Sequence, residues 1–315
     1  MRAVSLFAGV GGFDLALERA GVPVVAAVEI DKQASGVLAH RFPNTKLFGD
    51  IQEVTGNDLL GAGFIPKSGI ITGGFPCQDL SVAGRRAGLA GERSGLFWEI
   101  ARLLDDLQPR WLLLENVPGL LSSNGGRDMG IVLGTLAELG YGVAYRVLDA
   151  QNFGVPQRRR RVFIVGRFGS NGQAPSEVLA IRQGLFGDSS QSDTAREETT
   201  GSASQSVASP LQARGYKGII AFSHTQGLDA QPSETHTPTL RKNGGGQAMT
   251  DGELVRRLTP VECERLQGFP DDWTKYRVDE KKSLIEQADS PRYKQMGNAV
   301  AVPCVEWIIN RLVEG

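Results

Sequence analysis

The chain has 315 residues, 41% hydrophobic and 22% charged, enough for a sizeable core in one large domain or two unequal ones. A net charge of −1 excludes a globally basic nucleic-acid binder, so any site for a polyanion has to come from a local basic patch. Three cysteines, Cys77, Cys263 and Cys304, are widely spaced, odd in number and without histidine in metal-ligand spacing, which speaks against a disulfide framework or a metal site and suits a reducing cytoplasm.

The first apolar run is broken by Gly11-Gly12 and Asp14, unlike a signal peptide, and no run reaches the roughly 20 residues that span a bilayer. A cytoplasmic protein with no membrane contact is therefore expected. Along the chain, short apolar runs alternate with stretches of helical period. Strands are predicted at 2–7, 24–29, 46–48, 69–72, 111–115, 143–149 and 161–166, with helices at 13–20, 32–41, 96–108 and 126–139. Such alternation implies an α/β fold, a doubly wound and mostly parallel sheet with helices on both faces, whose ligands sit at the carboxyl ends of the strands. After about residue 168 the character changes. Residues 187–208 are rich in Ser, Thr and Gly and read as a flexible excursion, followed by strand-like fragments at 218–223 and 238–241 and the cluster Gly244-Gly245-Gly246. Helices are expected at 256–266 and 300–313, the last packing back on the large domain. The predicted division is 1–168 plus 291–315 for the large domain and 169–290 for a smaller, irregular one.

Phe7-Ala8-Gly9-Val10-Gly11-Gly12 closes the first strand and opens the first helix, where glycines let a ligand approach the backbone. The loop is not G-x-G-x-x-G, because Asp14 stands three after Gly11, and it lacks the Gly-Lys-Ser/Thr of a P-loop. A plain glycine turn would read the same way. Two acids shift the balance: Glu29 ends the second strand about twenty residues on, where a carboxylate can hold ribose hydroxyls, and Asp50 ends the third, followed by Ile51. A nucleoside that lacks phosphates but carries positive charge suits this pocket, and S-adenosylmethionine is such a molecule.

Gly73-Gly74-Phe75-Pro76-Cys77-Gln78-Asp79-Leu80-Ser81 carries a thiol from a strand into a polar loop. A free cysteine is often only a small buried hydrophobe. Here Pro76 rigidifies the approach, Arg85, Arg86 and Arg93 offer a positive field, and Gly84, Gly88 and Gly91 let the loop move as a lid, all of which suit a reactive thiolate. Glu115-Asn116-Val117 ends another strand at the same edge, although a strand-end acid can equally cap a neighbouring helix. Gln157-Arg158-Arg159-Arg160-Arg161 precedes a strand whose alternation sends Arg159 and Arg161 to one side and Arg158 and Arg160 to the other; such a run is either a solvated face or an anion or base-edge binder.

Together, Phe7–Gly12 as quoted, Pro76-Cys77-Gln78, Glu115-Asn116-Val117, Gln157-x-Arg159-x-Arg161, Arg257-Leu258-Thr259-Pro260-x-Glu262-x-x-Arg265-Leu266-Gln267-Gly268-Phe269-Pro270 and Gly297-Asn298-Ala299-Val300 resemble, in order, the motifs of cytosine-5 DNA methyltransferases of bacterial or phage type. The match fails only over about 170–250, where that family carries its target-recognition region. The resemblance implies that Cys77 attacks cytosine carbon 6, that Glu115 contacts ring nitrogen 3 and the exocyclic amine, and that Arg161 holds the carbonyl oxygen with support from Arg159. The base must be flipped out of the duplex to be reached, with residues 78–95 closing over it. It implies S-adenosylmethionine held by Phe7, Gly9, Gly11, Glu29, Asp50, Ile51, Pro76, Asn298 and Val300, and DNA contacts from Ser81, Arg93 and the pair Thr239-Leu240. From 209 to 249, Arg214, Lys217, Arg241 and Lys242 outnumber Asp229 and Glu234, a local excess that helps docking on phosphates. The partners implied are double-stranded DNA and a cognate restriction endonuclease acting separately, with the chain itself a monomer and no metal.

Three other readings stand beside this one. An RNA methyltransferase of the same family would share every catalytic residue, but a separate recognition segment favours DNA. A thymidylate synthase also uses a Pro-Cys thiolate, yet the glycine loop with Glu29 and Asp50 is not folate-like. A catalytically silent DNA-binding homologue is opposed by intact Cys77, Glu115 and Arg161.

Overall fold

The computed structural model describes residues 1–76, 95–181, 220–223, 247–250 and 255–314, giving the backbone alone for 220–223, 247–250 and Val255. The first strands and helices follow in the order β1 (Ala3–Leu6), α1 (Gly12–Arg19), β2 (Val24–Val28), α2 (Lys32–Arg41), β3 (Lys46–Phe48), α3 (Gly56–Gly61), β4 (Ile70–Gly74) and α4 (Leu96–Leu107). There follow β5 (Trp111–Asn116), α5 (Arg127–Glu138), β6 (Tyr141–Asp149), β7 (Arg160–Phe168) and α6 (Gln173–Val178). The seven strands form one sheet in the order β3-β2-β1-β4-β5-β7-β6. All pairings among the first five are parallel, and β7 alone runs against its neighbours.

Strand alternation explains why both faces are covered. On β5, Trp111 and Leu113 point to one core, shared with α1, α2 and the chain end, while Leu112 and Leu114 point to the other, shared with α3, α4 and α5. Helix α4 buries Phe97, Ile100, Ala101, Leu103, Leu104 and Leu107, an i, i+3, i+4 stripe, and stops at Gln108 in the left-handed region (φ 47°) just before Pro109. Burying Phe97 contributes about 1.5–3 kcal/mol of transfer free energy.

The remaining elements are β8 (Ile220–Ser223), β9 (Gln247–Thr250), β10 (Val255–Arg257), α7 (Pro260–Gln267), β11 (Tyr276–Val278), β12 (Leu284–Glu286), α8 (Asp289–Asn298) and α9 (Val302–Glu314). Strands β8, β9 and β10 form an antiparallel sheet, and β11 pairs with β12. The predicted helix 256–266 divides here. Val255–Arg257 is a strand, and the helix starts at Pro260 because Thr259 and Glu262 form a reciprocal capping box with proline in the first turn. The fragment at 218–223 is β8 in its described part; 238–241 and 187–208 lie outside the described residues.

Both flanks of the 169–290 region join the large core. Val178 and Leu179 on one side and Leu258, Cys263, Leu266, Phe269 and Trp273 on the other belong to the same buried cluster as Ala3, Phe13 and Ile308. Trp273 donates from its indole to Val10 O at 2.8 Å, and Arg41 grips Trp273 O at 2.9 Å while its guanidinium lies 4.8 Å from the Trp273 ring centre. Among the described residues, no helix is long and apolar enough to cross a membrane, and no group of three or more His, Cys, Asp or Glu could hold a metal ion.

Candidate active site

The strand order reverses between β1 and β4, and a cleft of about 630 Å³ opens there at the carboxyl ends of the strands. Its first wall is built by the β1–α1 turn and the ends of β2 and β3. Phe7 has φ 53°, a left-handed conformation uncommon for a residue with a side chain, and Gly9 follows at φ 59°. The turn thereby aims the Gly9 N–H at Glu29, whose Oε2 accepts it at 2.7 Å while Oε1 accepts the Asp31 N–H at 2.7 Å. Burial pushes the Glu29 carboxyl above its ordinary range, with these two N–H groups and Lys294 opposing. Asp50 lines the cleft and caps the short turn after β3 by accepting the Gln52 N–H at 3.0 Å, and Ile51 stands next to it.

The second wall combines β4, β5 and the start of β7. Because β7 is antiparallel, its amino end lies at the carboxyl edge of its neighbours, which is how the arginine run reaches the site. Arg161 Nε meets Glu115 Oε1 at 2.9 Å, both side chains about 15% exposed. Gly74 faces Glu115 in register, and a Cβ there would stand 3.2 Å from Glu115 Oε2; the missing side chain makes room for the carboxylate. Burial raises the Glu115 pKa, and Arg161 and then Arg159 oppose it. Asn116 donates to Phe75 O at 2.9 Å, fixing the approach to Pro76 on the cleft wall.

Arg159 and Arg161 turn inward while Arg158 and Arg160 are exposed, as the alternation predicts. The Arg159 side chain, 2% exposed, donates from Nη2 to Ala299 O at 2.7 Å and Gly297 O at 3.2 Å. Burial and the neighbouring Arg161 bring its pKa down to about 9, against the attraction of Glu115. The third wall is the chain end: Pro291, Lys294, Gln295, Gly297 and Asn298, all of α8.

Of the residues singled out in the sequence, Phe7, Gly9, Glu29, Asp50, Ile51, Pro76, Glu115, Arg159, Arg161 and Asn298 line this one cleft. Gly11 and Val300 do not. Gly11, at φ 88°, turns the chain into α1, and a Cβ there would meet the Phe42 ring at 2.5 Å; Val300 is buried behind the loop against Gly12. Cys77, Ser81, Arg93, Thr239 and Leu240 lie outside the described residues. Sequence reading missed Ile30, Asp31 and Lys294. Ile30 is 70% exposed at the rim, an apolar surface able to cover a flat ring. Lys294 Nζ bonds Asp31 Oδ2 at 2.7 Å across the cleft. The signal for Asp31 was its place two residues beyond Glu29; for Lys294 it was the helical step of four to Asn298.

Comparison with known proteins agrees with this geometry. The model of the family described as C-5 cytosine-specific DNA methylase matches residues 1–183 and 179–314. Type II methyltransferase M2.BsuMI of Bacillus subtilis (strain 168) is 34% identical over 98% of this chain and 74% of its own length. Type II methyltransferase M.HhaI of Haemophilus parahaemolyticus is 31% identical over 98% of this chain and 93% of its own. In fold, the S. pombe Dnmt2 methyltransferase covers all of this chain with 98% of its own, at TM-score 0.68 and 22% identity. With that family matched over nearly every residue and its relatives above 30% identity spanning the chain, the protein belongs to the C-5 cytosine-specific DNA methylase family and is a DNA cytosine-5 methyltransferase.

Proposed function

We propose that the chain methylates carbon 5 of a cytosine within a short motif of double-stranded DNA, using S-adenosylmethionine and a transient covalent bond from Cys77 to carbon 6 of a flipped base. One observation carries the reading: the carboxylates Glu29 and Asp50 and the Glu115–Arg161 pair share a single cleft, with Pro76, the residue before Cys77, on its wall.

The residues fit the cofactor. Left-handed Phe7 and Gly9 open the backbone to a ligand, Glu29 is held rigid by two N–H groups, and the cleft offers carboxylates where a phosphate-bearing nucleotide would need donors. Glu29 would hold the ribose, Asp50 and Ile51 the adenine side, and Phe7, Gly9, Pro76 and Asn298 the methionine end. When bound there, S-adenosylmethionine supplies an electrophilic methyl group for carbon 5. The protein's part is to make that carbon nucleophilic. Cys77 Sγ bonds to carbon 6, and the displaced ring electrons are stabilised by a proton from Glu115 at nitrogen 3 and by Arg161 at the carbonyl oxygen. Burial, which raises the Glu115 pKa, favours the protonated form that this step uses. Loss of the carbon 5 proton to water, with the nitrogen 3 proton returning to Glu115, then expels the Cys77 thiolate and restores the aromatic ring.

Recognition of the motif falls to the 169–290 region, whose described flanks pack into the core. The partner expected on this reading is a cognate restriction endonuclease that acts separately on the same motif, and the methyltransferase itself would work as a monomer. Bisulfite or long-read mapping of DNA from cells expressing the protein, beside a Cys77→Ala control, tests the reading. Methylation at one motif, absent in the control, is expected; its absence from both would overturn the reading, and its persistence in the control would remove Cys77 as nucleophile.

A further inference from the structure

We propose that Arg159 is a positioning residue that couples the base-binding half of the cleft to its cofactor-binding half by holding the carboxyl end of α8, around Asn298, against the strand that carries Arg161. The inference rests on the methyltransfer reading given above and adds to it a specific route by which one ligand affects the affinity for the other.

The geometry is unusual for an arginine in a site that handles a base. Its backbone is fixed, the N–H donating to Asp149 Oδ1 at 2.9 Å and the carbonyl accepting the Ala150 N–H at 3.0 Å. Its side chain turns away from the strand to the two carbonyls that flank Asn298, those of Gly297 and Ala299, both bonded by the same Nη2. Asn298, the last residue of α8, is exposed in the cleft, and the helix end that presents it is held from behind by the Arg159 guanidinium, with Gln267 Nε2 on the neighbouring Met296 O at 2.9 Å. Two residues along the chain, Arg161 holds Glu115. The Glu115 carboxylate feels both arginines, so a shift of the Arg159 charge changes the field on the group that faces the base.

A second observation points the same way. Arg159 Nε and Nη1 have no hydrogen-bond partner among the described residues although the side chain is buried. A buried cation with unmet donors is costly, and the cost falls when carbonyls or a ligand complete its shell. The Gly297 and Ala299 carbonyls at the end of α8 supply part of that shell. Drawing Asn298 toward a cofactor therefore moves the carbonyls on which the Arg159 cation depends, and the cation in turn moves relative to Glu115. Whatever this route adds to base affinity when the cofactor is bound it adds equally to cofactor affinity when the base is bound, and a better-completed Arg159 shell makes that contribution favourable.

The test uses the full chain, S-adenosylhomocysteine as the cofactor-site probe, and a duplex bearing the motif found by methylation mapping. Calorimetry gives the probe's affinity with and without DNA for the wild type, Arg159→Lys and Arg159→Met, with folding checked by thermal melting. DNA is expected to tighten probe binding about tenfold or more in the wild type, within the usual range of coupling energies. The factor should fall to within about twofold of unity in Arg159→Met and lie between these values in Arg159→Lys, which keeps the charge on a shorter side chain with a compact head. Binary affinities should change less than the coupling does. Coupling at the wild-type value in a folded Arg159→Met would overturn the proposal; if that variant does not fold, the same result in Arg159→Lys overturns it. A wild type that methylates DNA without any coupling sinks this inference alone, whereas a wild type that neither methylates nor binds the probe sinks the underlying reading.

Discussion

The strand-end walls of the cleft and its chain-end wall are built in opposite ways. In the first, each functional residue sits at the tip of a strand, so a few contiguous residues fix its place: Phe7 to Gly9 after β1, Glu29 after β2, Asp50 after β3, Glu115 at the end of β5. In the second, Lys294, Gln295 and Asn298 lie on α8, which reaches the cleft only because distant segments hold it. Arg292 of that helix, 6% exposed, bonds the fully buried Glu264 at 3.1 Å, and Gln295 exchanges hydrogen bonds with Gln287, which in turn donates to Thr274 O. The strand-end walls are rigid by local geometry, and the chain-end wall by a buried polar network. Damage to each should differ in size and in its dependence on pH and salt.

The largest effect is expected where a strand-end charge is left unpaired. Arg161→Gln removes the partner of a nearly buried carboxylate, which costs about 3–5 kcal/mol when the carboxylate is ionised. Burial already raises the Glu115 pKa, and losing Arg161 lets it rise further. For an acid raised in the folded state, the stabilising contribution is present at low pH and is lost as pH climbs from the unfolded value through the folded one. The deficit of Arg161→Gln against wild type should therefore be smallest where Glu115 is protonated and should grow as pH rises through the range in which it ionises, as read by urea unfolding. A deficit independent of pH would mean that Glu115 is not the group left exposed to the change.

Asp14 tests the foundation of the same wall. It is fully buried under the β1–α1 turn, with Oδ2 accepting from Ser5 Oγ at 2.9 Å and Oδ1 unpartnered among the described residues. Burial lifts its pKa from 3.8 to about 7, so the folded protein keeps a proton that the unfolded chain releases, and stability falls as pH rises between those values. At ~1.4 kcal/mol per pH unit the full penalty is about 4 kcal/mol above pH 7. Asp14→Asn carries no proton to lose. Its stability relative to wild type should improve by about 3 kcal/mol between pH 5 and pH 8; a constant difference would show that Asp14 does not titrate in this interval.

This contrast also accounts for what could be read from the sequence. The strand ends were legible because an apolar run followed by Gly, Asp or Glu states both an element and its exit, and the arginine alternation before β7 held to the residue. Helix α8 escaped because its sequence, Asp289-Ser290-Pro291-Arg292-Tyr293-Lys294-Gln295-Met296-Gly297-Asn298, has no apolar stripe; it buries Arg292 and Gln295 instead, and the groups that accept them are up to 28 residues away. The 256–266 prediction ran two strand residues into a helix, although the Thr259-Pro260-Val261-Glu262 signature states the start correctly. Gly11 and Val300 shape the loop from behind, a distinction that depends on Phe42 and Gly12 lying against them in space.

The smallest effect belongs to the chain-end wall's exposed ion pair with the first wall. Lys294 and Asp31 are 45% and 33% exposed, and a pair so open to water contributes about 0.2–1 kcal/mol. Burial pushes the Asp31 carboxyl up, but the Lys294 bond and the N–H groups of Ala34 and Gln33 outweigh it, so Asp31 is ionised at neutral pH and the pair is intact. Lys294→Met should leave global stability nearly unchanged, because the Glu264–Arg292 network still holds α8. Local opening of the helix end over the cleft would then become easier by the energy of that pair, which at 25 °C corresponds to a rise of about one and a half- to fivefold in the cofactor KM. Added salt should weaken the wild-type pair and narrow the gap, since screening acts on charges this exposed. A kcat loss in place of a KM change would relocate Lys294 from the door of the cofactor site to its chemistry, and the two kinds of wall would no longer divide the work as their construction implies.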